Sequence, residues 1–344
     1  MSEIYYSQNS QWDDFLAELK KSSRVYLPYA KGDNFFYQEA KDLVEFSFNA
    51  FRPVETIKPF LFSPKEQIAE GISGSEAFSK AATPTVVVGL KNCDLDSLRV
   101  QDYVFKEGIE VDPLYALRRE NTILISGDCT GFKEVCFCMS MGVLPHPEKY
   151  FDLNLSPLSD GYLVEVGSAK GSGLLNKHRK YFVKAGEAQV AARNSKRQNI
   201  IGELDRSLQQ KNIPQKDILQ KIVRKGYDSD TWQNFCLTCV ECGACNFVCC
   251  TCHCFLLSDI RQKDKHPRLR VWDSCLYANY ARVAGGANPL KRRAQRLRNR
   301  FVKKFDFFVD NLGLPACDGC GRCIEACPGK IDIREVLKDL AKNA

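Results

Sequence analysis

Hydrophobic positions in the first half of the chain repeat with two different periods. Trp12, Phe15, Leu16 and Leu19 fall at helical spacing, which places them on one face of an amphipathic helix, and residues 24–29 then read as a strand. Short apolar, β-branched runs predict further strands at 85–90, 122–126 and 162–166. Strands interleaved with helical stretches give residues 1–176 the pattern of an α/β or α+β domain. From 177 to 233 the chain turns polar and charged, with a helical pattern broken at Pro214, and it reads as a helical connector. Residues 234–344 follow neither pattern, because cysteine spacing takes over.

At 344 residues and 44% hydrophobic composition the chain can bury a sizeable core spread over two or three domains. Its apolar runs, such as 86–88 and 123–125, are far too short to span a bilayer, and the first 34 residues lack a signal-peptide layout. The expectation is a cytoplasmic protein without membrane segments. Seventeen cysteines in a reducing compartment point to thiolates that bind metal or do redox chemistry. Four lie between Cys93 and Cys138, nine between Cys236 and Cys275, and four between Cys317 and Cys327, a tighter grouping than a disulfide scaffold has.

The last group, Cys317, Cys320, Cys323 and Cys327 followed by Pro328, spells C-x2-C-x2-C-x3-C-P. In this bacterial signature three close thiolates cap one four-iron cube and the fourth reaches a second. Gly319 and Gly321 give the loop freedom to wrap the cube. Cys239, Cys242, Cys245 and Cys249 repeat the spacing, so the motifs can exchange fourth ligands. One cube then takes Cys239, Cys242, Cys245 and Cys327, and the other Cys317, Cys320, Cys323 and Cys249. Paired zinc ribbons also use C-x2-C, but zinc needs two pairs per site, not a triplet with an outlying fourth cysteine. The expected fold of 234–344 is therefore a ferredoxin-like dicluster domain carrying an insert at 250–316. That insert ends in a basic helical stretch and a Gly-Leu-Pro stop at 313–315, and it is expected to cover the clusters or dock a partner.

Five cysteines of the middle group remain: Cys236, Cys250, Cys252, Cys254 and Cys275. They are either ligands of an additional cluster or small buried apolar residues lining the cluster pocket. In the N-terminal region Cys93 and Cys129 each follow a predicted strand, and Cys136 and Cys138 lie in the next loop. If those strands are neighbours, the four thiolates meet at one sheet edge as a further cluster or zinc site, with Asp94 and Asp128 capping the following turns. The expected inventory is two [4Fe-4S] clusters with one or two more as candidates.

No G-x-G-x-x-G follows a strand and no P-loop is present, so no FAD or NAD site of the chain's own is expected. His146, His178, His253 and His266 are scattered, and only His253 lies among cysteines. A formal charge of +7, much of it in residues 291–304, admits a metal-bound nucleic-acid-binding module as an alternative. Phe301 and Phe305 fit helical core spacing better than base stacking, however. A redox-active thiol at Cys250, Cys252 or Cys254 is a second alternative, without an identifiable activating base.

The sequence resembles the iron–sulfur electron-transfer subunits of anaerobic sulfite reductase and the related beta subunits of cytoplasmic sulfhydrogenases. The resemblance rests on 239–255 (CVECGACNFVCCTCHCF), 272–275 (WDSC), the Arg-rich run ending Lys303-Lys304-Phe305, and 317–328 (CDGCGRCIEACP). It extends to Asn92-Cys93-Asp94, Asp112-Pro113, Arg118-Arg119-Glu120 and 136–142 (CFCMSMG). In the family pattern a proline follows the fourth cysteine of the first motif, where Cys250 stands here. The resemblance implies an electron-transfer subunit with two expected partners. One is an iron–sulfur flavoprotein binding FAD and NAD(P), and the other is a catalytic subunit of hydrogenase, sulfite reductase or heterodisulfide reductase type.

Overall fold

In the computed structural model, which describes residues 3–41, 46–70, 83–261 and 266–342, the Asn9–Lys20 helix buries Trp12, Phe15, Leu16 and Leu19 as their spacing requires. The strands are β1 (Ile4–Gln8), β2 (Arg24–Lys31), β3 (Asn34–Glu39), β4 (Lys65–Glu70), β5 (Thr85–Leu90), β6 (Thr122–Gly127), β7 (Leu153–Pro157), β8 (Gly161–Val166), β9 (Val183–Lys184), β10 (Phe255–Asp259) and β11 (Pro267–Trp272). Eight form one sheet in the order β3-β2-β5-β6-β7-β8-β1-β9. Its centre, β2-β5-β6-β7, is parallel, and the flanking pairs are antiparallel.

Alternation along β5, switched by an irregularity at Gly89 (φ 79°), decides which core each side chain enters. Val86 and Val88 of β5 join Trp12, Phe15, Leu16 and Leu153 on one face. Val87 and Leu90 join Phe62, Leu98, Phe105 and Tyr115 on the other. Each such fully buried side chain contributes about 1.5–3 kcal/mol. Two covered faces are what a parallel centre needs.

A third core joins Leu204 and Leu208 of the Glu187–Lys211 helix to Leu219 and Val223 of the Lys216–Lys225 helix. Trp232, Leu297, Phe301, Phe305, Val336 and Leu340 complete it, together with Phe137 and Met141 of the N-terminal half. The interval read as a connector thus lends its apolar face to the same core as the C-terminal helices.

Residues 250–316 hold a structure that the hydrophobic pattern did not predict. β10 and β11 form a hairpin, and β11 pairs antiparallel with β4 from the N-terminal half. Arg270 of β11 bridges Glu66 and Asp112, with its guanidinium 2.6 Å from Glu66. This segment clasps the two halves of the chain to each other. Among the described residues no helix is long and apolar enough to cross a membrane.

Candidate iron–sulfur sites

The two cysteine motifs fold alike. Gly243 and Gly321 both adopt left-handed backbone (φ 74° and 72°), and each opens a single short helix, Ala244–Phe247 and Arg322–Glu325. A side chain is strained at such φ values, so glycine sets the turn that lets three thiols face one point. Cys239, Cys242 and Cys245 line a cavity with Cys327, the fourth cysteine of the other motif, and Cys323 also borders it. Its walls include Leu276, Leu297, Ile331 and Ile333.

On the other side of the motif pair, Cys317 and Cys323 both lie in the electrostatic reach of Cys249, as does Cys320. The ammonium of Lys304 sits 3.3 Å from Cys249 Sγ and also donates to Thr251 Oγ1 (2.8 Å) and the Ala316 carbonyl (3.0 Å). Hydrogen bonds from Cys250 and Cys252 draw the Cys249 thiol well below its usual pKa. A hydrogen bond from Cys250 likewise brings Cys320 down to about 6. Burial pushes Cys317 and Cys323 up instead.

Cys93, Cys129, Cys136 and Cys138 line a single cavity. Cys93 and Cys129 follow β5 and β6, which pair in parallel with Val87 opposite Leu124, so both cysteines leave the sheet at its carboxyl edge. Cys136 and Cys138 come from the adjoining loop, and Ile200 and Leu204 of the Glu187–Lys211 helix close one side. Cys320 also lines this cavity, which makes it a shared wall with the second site. Burial raises all four thiols, Cys129 to about 12.

The two halves meet closely here. A Cβ on Gly319 would lie 2.5 Å from the Phe137 carbonyl oxygen, and one on Gly321 2.3 Å from that of Val135. These glycines therefore admit the 135–138 loop, in addition to wrapping their own motif. The Phe137 amide donates to the Gly319 carbonyl at 2.8 Å. Asp94 and Asp128 do not cap turns as their positions after strands suggested. Asp94 is fully buried against Arg322 at 2.8 Å, and Arg322 also donates to the Pro53 carbonyl. Asp128 receives Arg197, Asn154 and Ser156.

Sequence reasoning missed the buried cations. Arg296, Arg300 and Lys304, four residues apart, are all buried on the inward side of the basic segment, while Lys291, Arg292 and Arg293 stay exposed. Arg296 is paired with Glu241. Arg300 donates to Asn246 Oδ1 at 3.2 Å and lies within hydrogen-bonding reach of the Cys323 thiol. Neither Arg300 nor Lys304 meets a carboxylate among the described residues. Burial opposes their charge, but neighbouring thiols (Cys245 and Cys323 for Arg300, Cys249 and Cys252 for Lys304) outweigh it and hold both pKa values well above normal.

Lys58 and Lys91 are likewise buried among cysteines. Lys58 donates to the Asn246 carbonyl (3.0 Å) and lies over the Trp272 ring, while Lys91 donates to the Asp128 carbonyl (2.9 Å). Burial lowers both, Lys91 to about 8. The four-residue spacing of 296, 300 and 304 did not mark them in the sequence, since exposed Arg292 continues the same stripe and a solvated helix face carries the same period.

The five leftover cysteines do not form one set. Cys252, Cys254 and Cys275 line a cavity with His253, Arg300, Lys303 and Lys304. Cys250 sits between the second and N-terminal sites, donating to Asp318 Oδ2 (3.1 Å) and lying 3.6 Å from the Cys93 carbonyl. Cys236 belongs to the third core and donates to the Gln233 carbonyl at 3.3 Å. Neither Cys236 nor Cys250 lines the cavity that Cys252, Cys254 and Cys275 share. His253 hydrogen-bonds the Thr251 carbonyl through Nδ1 (3.1 Å), and burial lowers its pKa to about 4. Among the described residues no three His, Cys, Asp or Glu side chains gather tightly enough to hold a single metal ion. The cysteines surround larger cavities instead.

Two comparisons bear on these sites. Residues 238–331 match a family model described as a 4Fe-4S dicluster domain. Over 331 residues the chain is 30% identical to the sulfhydrogenase 2 subunit beta of Pyrococcus furiosus, covering 96% of both chains.

Proposed function

Since the chain belongs to the family of iron–sulfur electron-transfer subunits that includes the sulfhydrogenase beta subunits, we propose that it is a one-electron relay in a multisubunit oxidoreductase. It runs between an iron–sulfur flavoprotein binding FAD and NAD(P) and a catalytic subunit of hydrogenase, sulfite reductase or heterodisulfide reductase type. The reading places it in the cytoplasm, where thiols stay reduced.

The observation that carries this reading is the set of buried cations turned toward convergent thiols without carboxylate partners. An unpaired buried charge costs several kcal/mol, so Arg300, Lys304 and Lys58 need an anionic neighbour. Four-iron cubes held by four thiolates supply that charge and exchange single electrons. Cys239, Cys242, Cys245 and Cys327 would hold the first cube, and Cys317, Cys320, Cys323 and Cys249 the second. Cys93, Cys129, Cys136 and Cys138 would hold a third. Cys320, in the wall between the second and third sites, brings those two within one side chain of each other. Arg300, which borders the first cavity and lies in the field of Cys323 and Cys249 of the second set, would connect the first and second. Leu276, Leu297 and Ile331 around the first cavity, and Ile200 and Leu204 beside the third, give both apolar walls.

Mixing the anaerobic chain with NADPH and its co-purifying flavoprotein tests the role. Bleaching of the chain's visible iron–sulfur absorbance that requires the flavoprotein is expected. Absorbance unchanged over many turnovers of the flavoprotein would refute it.

A further inference from the structure

Of the seventeen cysteines, Cys242 alone is exposed, so the first site is the one that opens to the surface. The surface around it is apolar at the centre and cationic at the rim. Leu237 and Val240, three residues apart, are 65% and 64% exposed. Val240 and the exposed Pro328 border the same cavity, and the two loops are pressed together where Gly329 approaches the Thr238 carbonyl. The rim holds Lys291, Arg292 and Arg293, all exposed, and Arg293 is tied to the site by donating to the Cys239 carbonyl at 2.8 Å. Exposed Lys330 lies two residues beyond Pro328 on the other loop. Glu241, which lines the cavity, is paired with Arg296.

Resting on the relay reading above, we infer that this face is the docking port for an acidic one-electron carrier protein, which exchanges electrons with the centre held at Cys239, Cys242, Cys245 and Cys327. The apolar centre excludes water over the exposed thiolate, and the cationic rim draws in a carboxylate-rich partner and sets its orientation. One electron leaves the carrier, which is oxidised, and enters this centre, which is reduced. A nucleic-acid ligand would use the rim but leave Leu237 and Val240 uncovered. A protein surface uses both.

The test is binding of an acidic bacterial-type ferredoxin to the full chain, read by calorimetry at several salt concentrations. Two variants are compared with the parent, one carrying K291E, R292E and K330E and the other L237S and V240S. Iron content is measured alongside. The charge variant is expected to weaken binding by about tenfold or more at low salt and to flatten its salt dependence. The apolar variant weakens binding with the salt dependence retained. Equal affinity in the parent and both variants, no binding by the parent, or tighter salt-dependent binding of duplex DNA than of ferredoxin would each overturn the port. A chain lacking iron at the first site would instead refute the relay reading, and the binding series reports on the surface either way.

Discussion

The ammonium of Lys304 lies 3.3 Å from the sulfur of Cys249, and its other hydrogen bonds go to the uncharged oxygens of Thr251 and Ala316. A cation so close to a cluster ligand favours the more negative, reduced state. Lys304→Met should therefore lower the midpoint potential of the centre proposed at Cys249, Cys317, Cys320 and Cys323 by roughly 50 mV or more. Redox titration followed by EPR checks this. An unchanged potential in a fully loaded variant would remove Lys304 from the tuning of that centre.

Cys129 and Cys138 line the N-terminal cavity, whereas Cys236 sits in an apolar core. The double variant Cys129→Ser, Cys138→Ser should lose about four irons per chain while the dicluster signals persist. Cys236→Ser should leave iron content unaltered. Equal iron in all three proteins would mean the N-terminal cavity holds no cube.

Asp94 and Arg322 form a buried pair joining the sheet to the second cysteine motif, with side chains 0% and 2% exposed. Asp94→Ala strands the guanidinium and should cost about 3–5 kcal/mol of unfolding free energy in anaerobic denaturation. A loss below about 1 kcal/mol would show that the carbonyls of Pro53 and Glu55, which Arg322 also reaches, satisfy it by themselves.

His178 lies edge-on to Phe15, at 5.5 Å between ring centroids. Its pKa is lowered by burial first, and then by the cations Lys177 and Lys180. The folded state therefore favours the neutral ring. Its contribution is complete above the unfolded value near 6.5 and is lost as pH falls through that value toward the lower folded one. The unfolding free energy should decline between about pH 7 and pH 5.5, and less steeply in H178Q. Identical slopes would exclude His178 as a source of the acid sensitivity.

Much of this was legible in the sequence, for identifiable reasons. Trp12, Phe15, Leu16 and Leu19 announced their helix because a two-sided element must show its period. The strands containing Val86 to Val88 and 162–166 were legible from their β-branched, apolar runs. The paired cysteine motifs were legible because a cube dictates spacing. The pairing of β11 with β4 was not, since residues 268–271 alternate like any strand and nothing local points to a partner in the other half of the chain. The inward turn of Arg300 and Lys304 was also hidden, because a basic stretch reads as solvated until the thiols it faces are placed. Asp94 and Asp128 misled for the opposite reason. Their position after strands suggests local capping, and the arginines that claim them, buried Arg322 and half-buried Arg197, come from distant segments.

Iron and acid-labile sulfide per anaerobically purified chain, with EPR of the dithionite-reduced protein, test the relay most directly. About twelve irons with matching sulfide and magnetically coupled cubes are expected from three sites. Stoichiometric zinc with little iron, or thiols that leave Arg300 and Lys304 without a cluster beside them, would contradict it.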